Sequence, residues 1–92
     1  MKRVVITGLG AVTPLGNTIN EFWNGCISGK SGSALIKHFD AEKFKVHFAC
    51  ELKDFDPSLV LSKNEIKRSD LFTQYALCSS TEAMQDSGLD VE

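Results

Sequence analysis

Ninety-two residues with a net charge of −2 make at most one domain, and no basic excess is present to serve nucleic acid or an anionic membrane surface. At 42% hydrophobic and 24% charged residues, the composition is that of an ordinary globular chain and lies outside the range of disordered ones.

Residues 3–8 read as a buried strand, because Val4, Val5 and Ile6 form a β-branched run that stops at Gly8. Lys2 and Arg3 ahead of the run imitate the start of a signal peptide, but Gly8 and Gly10 break the apolar stretch too early for an export helix. No stretch approaches the ~20 apolar residues of a membrane span, so a cytoplasmic location is expected. Residues 8–17, punctuated by Gly8, Gly10, Pro14 and Gly16, read as a loop.

Thr18 and Glu21 stand at capping-box spacing and predict a helix start. Ile19, Phe22, Trp23, Cys26 and Ile27 follow at helical spacing as one apolar stripe, and Gly29 is the expected stop. Residues 30–33 read as a surface loop. Phe44, Val46, Phe48, Cys50 and Leu52 then alternate with mostly polar residues, which predicts a half-buried strand. Asp56-Pro57 signals a helix start, and Ser62 with Glu65 repeats the capping-box spacing. A long helix is predicted from about Ser69 to Ser87, closed by Gly88. Its Ala76, Cys78, Ser79 and Ala83 predict close approach of another backbone. The order strand, helix, strand, helix indicates an α/β fold. A first strand that needs cover on both faces also hints that the chain belongs to a larger body.

The candidate chemistry is sparse. Gly8-x-Gly10 follows a predicted strand, but Thr13-Pro14 stands where a dinucleotide fingerprint needs its third small residue, so a structural turn is expected and no cofactor. Cys26, Cys50 and Cys78 are odd in number and far apart, without a CxxC pair or a Cys/His cluster. No metal site is expected, and three buried thiols are. His38 and His47 have no neighbour in sequence that would make a nucleophile pair, and each reads as exposed or locally bonded. Lys63, Lys67 and Arg68 form a small basic cluster, with Lys63 and Lys67 on one face if the segment is helical. Like charges so placed do not favour the helix. On the residues alone the cluster is either a solvated face diluted by Glu65 and Asp70 or a docking patch for an acidic partner.

Taken in order, the run from Val4 to Asn17, then Trp23, Ser31-Gly32, Leu35-Ile36, His38-Phe39-Asp40 and Lys53-Asp54-Phe55 resemble the elongating β-ketoacyl-acyl-carrier-protein synthases, type II above all. Arg68-x-Asp70-x-Phe72-x-Gln74-Tyr75-Ala76 and the block Ala83 to Leu89 complete the resemblance. It implies a thiolase-like α/β fold of two related halves, with residues 1–92 as an incomplete amino-terminal part of the first half. It also implies the family's reaction of fatty acid elongation, in which malonyl-carrier protein is decarboxylated and condensed with an acyl thioester held on a cysteine. The family's catalytic cysteine and two histidines match none of Cys26, Cys50, Cys78, His38 or His47, so no catalytic residue is assigned and the 92 residues alone are expected to be inactive. The resemblance implies a homodimer, with acyl carrier protein as partner. Lys67 and Arg68 match basic positions of the carrier-docking patch and Lys63 a flanking one. Asn64 replaces a frequent lysine there, and Ser33 departs from a usually aliphatic position. A non-catalytic carrier-binding module, and a polyketide ketosynthase or chain-length partner, remain as alternatives.

Overall fold

The first helix begins where the sequence offers a cap. Thr18 is extended and its hydroxyl accepts from the Glu21 amide at 3.2 Å, and α1 runs Ile19–Ile27 in the computed structural model, which describes residues 2–89. The reciprocal bond of the expected box is displaced by one residue, since Glu21 Oε2 accepts from the Asn17 amide at 3.0 Å. Gly29, at φ +72°, ends the helix in the left-handed region. The predicted apolar stripe is only partly covered. Ile19 and Phe22 are half-buried and Gly25 is buried against Leu15, while Trp23, Cys26 and Ile27 are exposed. The element beside α1 is the narrow turn at residues 13–16, too small to cover a whole helix face.

The buried strand expected at residues 3–8 is not formed. The segment pairs with no other strand among the described residues, and Val4, Val5 and Ile6 are 94%, 67% and 83% exposed. What holds the end of this segment is a helix. In α3, Leu71–Ser87, Asp86 Oδ2 accepts from the Leu9 amide at 2.9 Å and Glu82 Oε1 from the Ala11 amide at 2.8 Å. Carboxylates thus take the place of a neighbouring strand's carbonyls. The predicted close approach lies here: a Cβ on Gly8 would lie 2.6 Å from the Ser87 amide nitrogen, and one on Gly10 2.8 Å from that of Ala83.

The loop that follows is a structural turn, as expected. Thr13 and Gly16 exchange backbone bonds of 2.8 and 3.1 Å, and Thr13 Oγ1 also accepts from the Leu15 and Gly16 amides.

The strand expected at residues 44–52 shrinks to two residues. β1, Ala34–Leu35, pairs antiparallel with β2, Phe48–Ala49, with Ala34 opposite Ala49 and Leu35 opposite Phe48. The Ile36 amide adds one bond to the His47 carbonyl at 2.9 Å. Most of its apolar row is exposed, namely Phe44, Val46, Phe48 and Cys50, with Leu52 half-buried, whereas Ala49 and Glu51 on the opposite parity are half-buried and Lys45 and His47 are exposed. Period-two patterning identifies two faces but does not say which one finds a neighbour.

Asp56 caps the 3-10 turn Pro57–Leu59 by accepting from the Ser58 amide at 3.0 Å and its hydroxyl at 2.6 Å, and α2, Lys63–Arg68, follows. Helix α3 starts at Leu71, two residues later than expected, with Asp70 as its cap residue and Gly88 at φ +71° as its stop. Phe55 meets Tyr75 of α3 edge-to-face at 4.8 Å.

Little of this is enclosed. The buried apolar side chains among the described residues are Ala41 and Leu61, and the accessible surface is 7685 Å², against about 5,300 Å² for a compact protein of this mass. The radius of gyration is 16.1 Å, where a compact chain of this length has about 12 Å. The expectation of three buried thiols fails with the core: Cys26 and Cys50 are exposed and Cys78 is half-buried. Among the described residues, no helix is long and apolar enough to cross a membrane.

Candidate functional site

Helix α2 is only six residues long, and a free peptide of that length does not hold helical structure. Its order comes from its ends. At the amino end, the Ser62 hydroxyl accepts from the Glu65 amide at 3.3 Å while Glu65 Oε1 accepts from the Ser62 amide at 3.1 Å, a complete capping box. The bond from the Ser62 amide is the main reason the Glu65 carboxyl titrates below its ordinary value of 4.5. Leu61, buried, and Ile66, half-buried, anchor the helix inward.

At the carboxyl end, the buried side chain of Gln74 reaches back from α3. Its Nε2 donates to the Ile66 and Ser69 carbonyls, each at 3.1 Å. The Ser69 hydroxyl donates to the Glu65 carbonyl. Carbonyls that a helix end leaves unpaired are thereby satisfied.

This arrangement presents all three predicted basic residues on one short helix. Lys63, Lys67 and Arg68 are exposed, and none forms an ion pair among the described residues. Lys67 and Arg68 occupy the last turn, where the carbonyl end of a helix favours a cation by ~0.3–1 kcal/mol, and Glu65 sits in the first turn, where an anion is favoured. Lys63 stands at the opposite end, where a cation is disfavoured, and it repels Lys67 on the same face, so the cluster as a whole is not arranged for helix stability.

No nucleophile pair is assembled elsewhere among the described residues. Burial, and secondarily the Asp56 carboxylate, pushes the Cys78 thiol up, which disfavours the reactive thiolate. His38 is exposed, as expected, and faces Glu51 rather than a thiol, with Nε2 at 3.8 Å from Oε2, beyond hydrogen-bond distance. Glu51 also accepts from the Lys37 and His38 amides at 2.8 and 3.1 Å, and the Lys37 bond is the first cause of its lowered pKa. Among the described residues, no group of three or more His, Cys, Asp or Glu side chains is arranged to hold a metal ion.

A groove of about 700 Å³ opens between the 13–18 segment, the 53–60 segment and α3, lined by Leu15, Asn17, Glu21, Lys53, Phe55 and Cys78 among others. Most of its polar groups are engaged in holding loops. Lys53 Nζ donates to the carbonyls of Gly32 at 2.7 Å and of Pro14 and Glu51 at 3.3 Å, and Asn17 Nδ2 donates to the Lys53 carbonyl at 2.8 Å.

The family profile described as "Beta-ketoacyl synthase, N-terminal domain" matches residues 1–92. The chain belongs to this family. It is 48% identical over 90 residues to "3-oxoacyl-[acyl-carrier-protein] synthase 2" of Coxiella burnetii, covering 98% of this chain and 22% of that protein. A Synechocystis protein of the same name is 46% identical over 88 residues, covering 96% of this chain and 21% of its own length. Among solved structures, "The ishigamide ketosynthase/chain length factor" superposes with a TM-score of 0.78 at 32% identity, over 94% of this chain and 21% of that one. The chain thus spans about a fifth of the length of the relatives it matches. Its mixed helix-and-strand fold is that of the amino-terminal part of a ketosynthase.

The basic triplet is legible in the sequence. Gln74, which closes the end of the helix that carries the triplet, is not marked out by it, although it stands inside a block shared with the family. Its one detectable signal is an amide side chain in the first turn of a helix just after a basic segment.

Proposed function

We propose that these residues form the amino-terminal part of a 3-oxoacyl-[acyl-carrier-protein] synthase with a thiolase-like architecture, a homodimeric cytoplasmic enzyme of fatty acid elongation. In this reading they supply packing surface and a carrier-docking patch but no catalytic group. The observation that carries the reading is the match of 98% of the chain to a 3-oxoacyl-[acyl-carrier-protein] synthase 2 at 48% identity. Acyl carrier protein is the partner, and Lys63, Lys67 and Arg68 receive its acidic surface. Complementary charge of this kind raises the association rate and sets orientation, and each exposed pair adds only ~0.2–1 kcal/mol. In support, all three side chains are exposed on one helix and lack an ion-pair partner among the described residues.

The test is to supply the intact protein with malonyl-carrier protein and an acyl thioester. One carbon dioxide released per 3-oxoacyl-carrier formed is expected, and absence of condensation contradicts the reading. A second reading, polyketide ketosynthase or chain-length partner, is favoured by the structural neighbour, whose name joins a ketosynthase to a chain length factor. Successive condensations without intervening reduction would support it instead.

A further inference from the structure

A six-residue helix that presents charges to a partner needs both ends fixed, and the two ends of α2 are fixed by different means. The amino end is closed from within by Ser62 and Glu65. At the carboxyl end the Ser69 hydroxyl takes the Glu65 carbonyl, and closure is completed from outside by the amide of Gln74, the fourth residue of α3. Gln74 is 6% exposed and is the buried polar side chain among the described residues. Burying an amide costs free energy unless it is bonded, and both bonds of its Nε2 go to carbonyls at the end of α2.

Lysine and arginine in a last turn can fold back onto the helix's own carbonyls. Gln74 occupies the Ile66 and Ser69 carbonyls, and the Lys67 and Arg68 side chains remain directed to solvent with no ion-pair partner among the described residues. Ser69 itself is extended, at φ −113° and ψ 145°, so the chain turns out of the helix at the point that Gln74 grips.

We infer that Gln74 is a positioning residue for carrier docking: its amide holds the end of α2 so that Lys67 and Arg68 stay ordered and free to meet an acidic partner. The inference rests on the docking reading of Lys63, Lys67 and Arg68. It assigns Gln74 no contact with the carrier.

The experiment compares Gln74→Met with Lys67→Glu/Arg68→Glu in the intact protein, by titration with acyl carrier protein at low salt. Gln74→Met keeps the side-chain length and removes both donors. The expected result is affinity about three- to tenfold weaker, because losing one or two net hydrogen bonds lowers the population of ordered α2 by up to about that factor and the carrier binds that population. Amide exchange is expected to rise in α2 while that of the second half of α3 stays unchanged. Unchanged affinity and unchanged α2 exchange in Gln74→Met, with binding lost in the charge-reversed protein, overturn the positioning role and leave the docking reading standing. Unchanged affinity in the charge-reversed protein overturns both. If Gln74→Met does not fold, the unmodified protein decides by NMR. Slow exchange of the two Gln74 side-chain amide protons supports the inference, and exchange at the rate of a free glutamine overturns it.

Discussion

Gly10 and Ser79 meet backbone to backbone: a Cβ on Gly10 would fall on the Ser79 carbonyl oxygen. Gly8 stands in the same relation to the Ala83 carbonyl one helical turn further along α3. The two glycines and the small residues Ser79, Ala83 and Ser87 together form the seam between the amino-terminal segment and the long helix. Neither glycine has a positive φ, so steric room rather than backbone freedom is what the glycines provide.

Gly10→Ala is therefore expected to force the segment off α3, at a cost of ~1–3 kcal/mol, because the obstruction is backbone and cannot turn aside. The denaturation midpoint of the intact protein checks this, with Gly29→Ala run beside it. Gly29 has open space around its Cβ position but a φ of +72°, so its penalty is that of a left-handed residue, about 1 kcal/mol, and the amide bonds at residues 9 and 11 should survive it.

Glu82 joins three elements, since its Oε1 accepts from the Ala11 amide and its Oε2 from the Ile19 amide at 2.9 Å, the first residue of α1. Glu82→Gln keeps one acceptor and turns a donor toward the other amide, so a loss of ~1–2 kcal/mol is expected. Glu82→Leu abandons both amides and should lose more. Exchange of the Ala11 and Ile19 amides, read residue by residue, distinguishes the two variants.

Helix α2 should be sensitive to acid at its amino end. The folded-state pKa of Glu65 lies below 4.5, so the cap's contribution is fully present above that pH and is lost as pH falls through the lowered value. The Ser62 amide resonance is expected to titrate with a midpoint below 4.5 and to stop doing so in Glu65→Gln. A midpoint above 4.5 would contradict the box.

How much of this was legible follows from where each signal resides. Thr18, Asp56, Ser62 and Gly88 act on backbone groups within a few residues, and each lies at an element boundary close to the one its spacing announced. Val4 to Ile6 and Phe44 to Leu52 depend on partners far along the chain, so an apolar run or an alternation told of a face wanting cover without supplying it. The bonds of Glu82, Lys53 and Gln74 were illegible for a related reason. A carboxylate, ammonium or amide that will bind a carbonyl or amide several to many residues away looks in sequence like any polar surface residue.

Since Val4, Val5, Ile6, Phe44, Val46 and Phe48 are exposed and Ala41 and Leu61 are the buried apolar residues described, residues 1–92 alone should not unfold cooperatively. A sloping thermal transition, with binding of a dye that reports exposed apolar surface, is the expected outcome. A single sharp transition with coincident probes would contradict the open packing.

The claim on which the docking account turns is that α2 meets the carrier through charge. It is tested most directly by titrating acyl carrier protein against the intact protein and its Lys67→Glu/Arg68→Glu variant at low and at high salt. The account predicts weaker binding by the variant at low salt and a flatter salt dependence, because exposed pairs are screened within a Debye length of about 10 Å at 0.1 M. Equal affinity of the two proteins at low salt would contradict it.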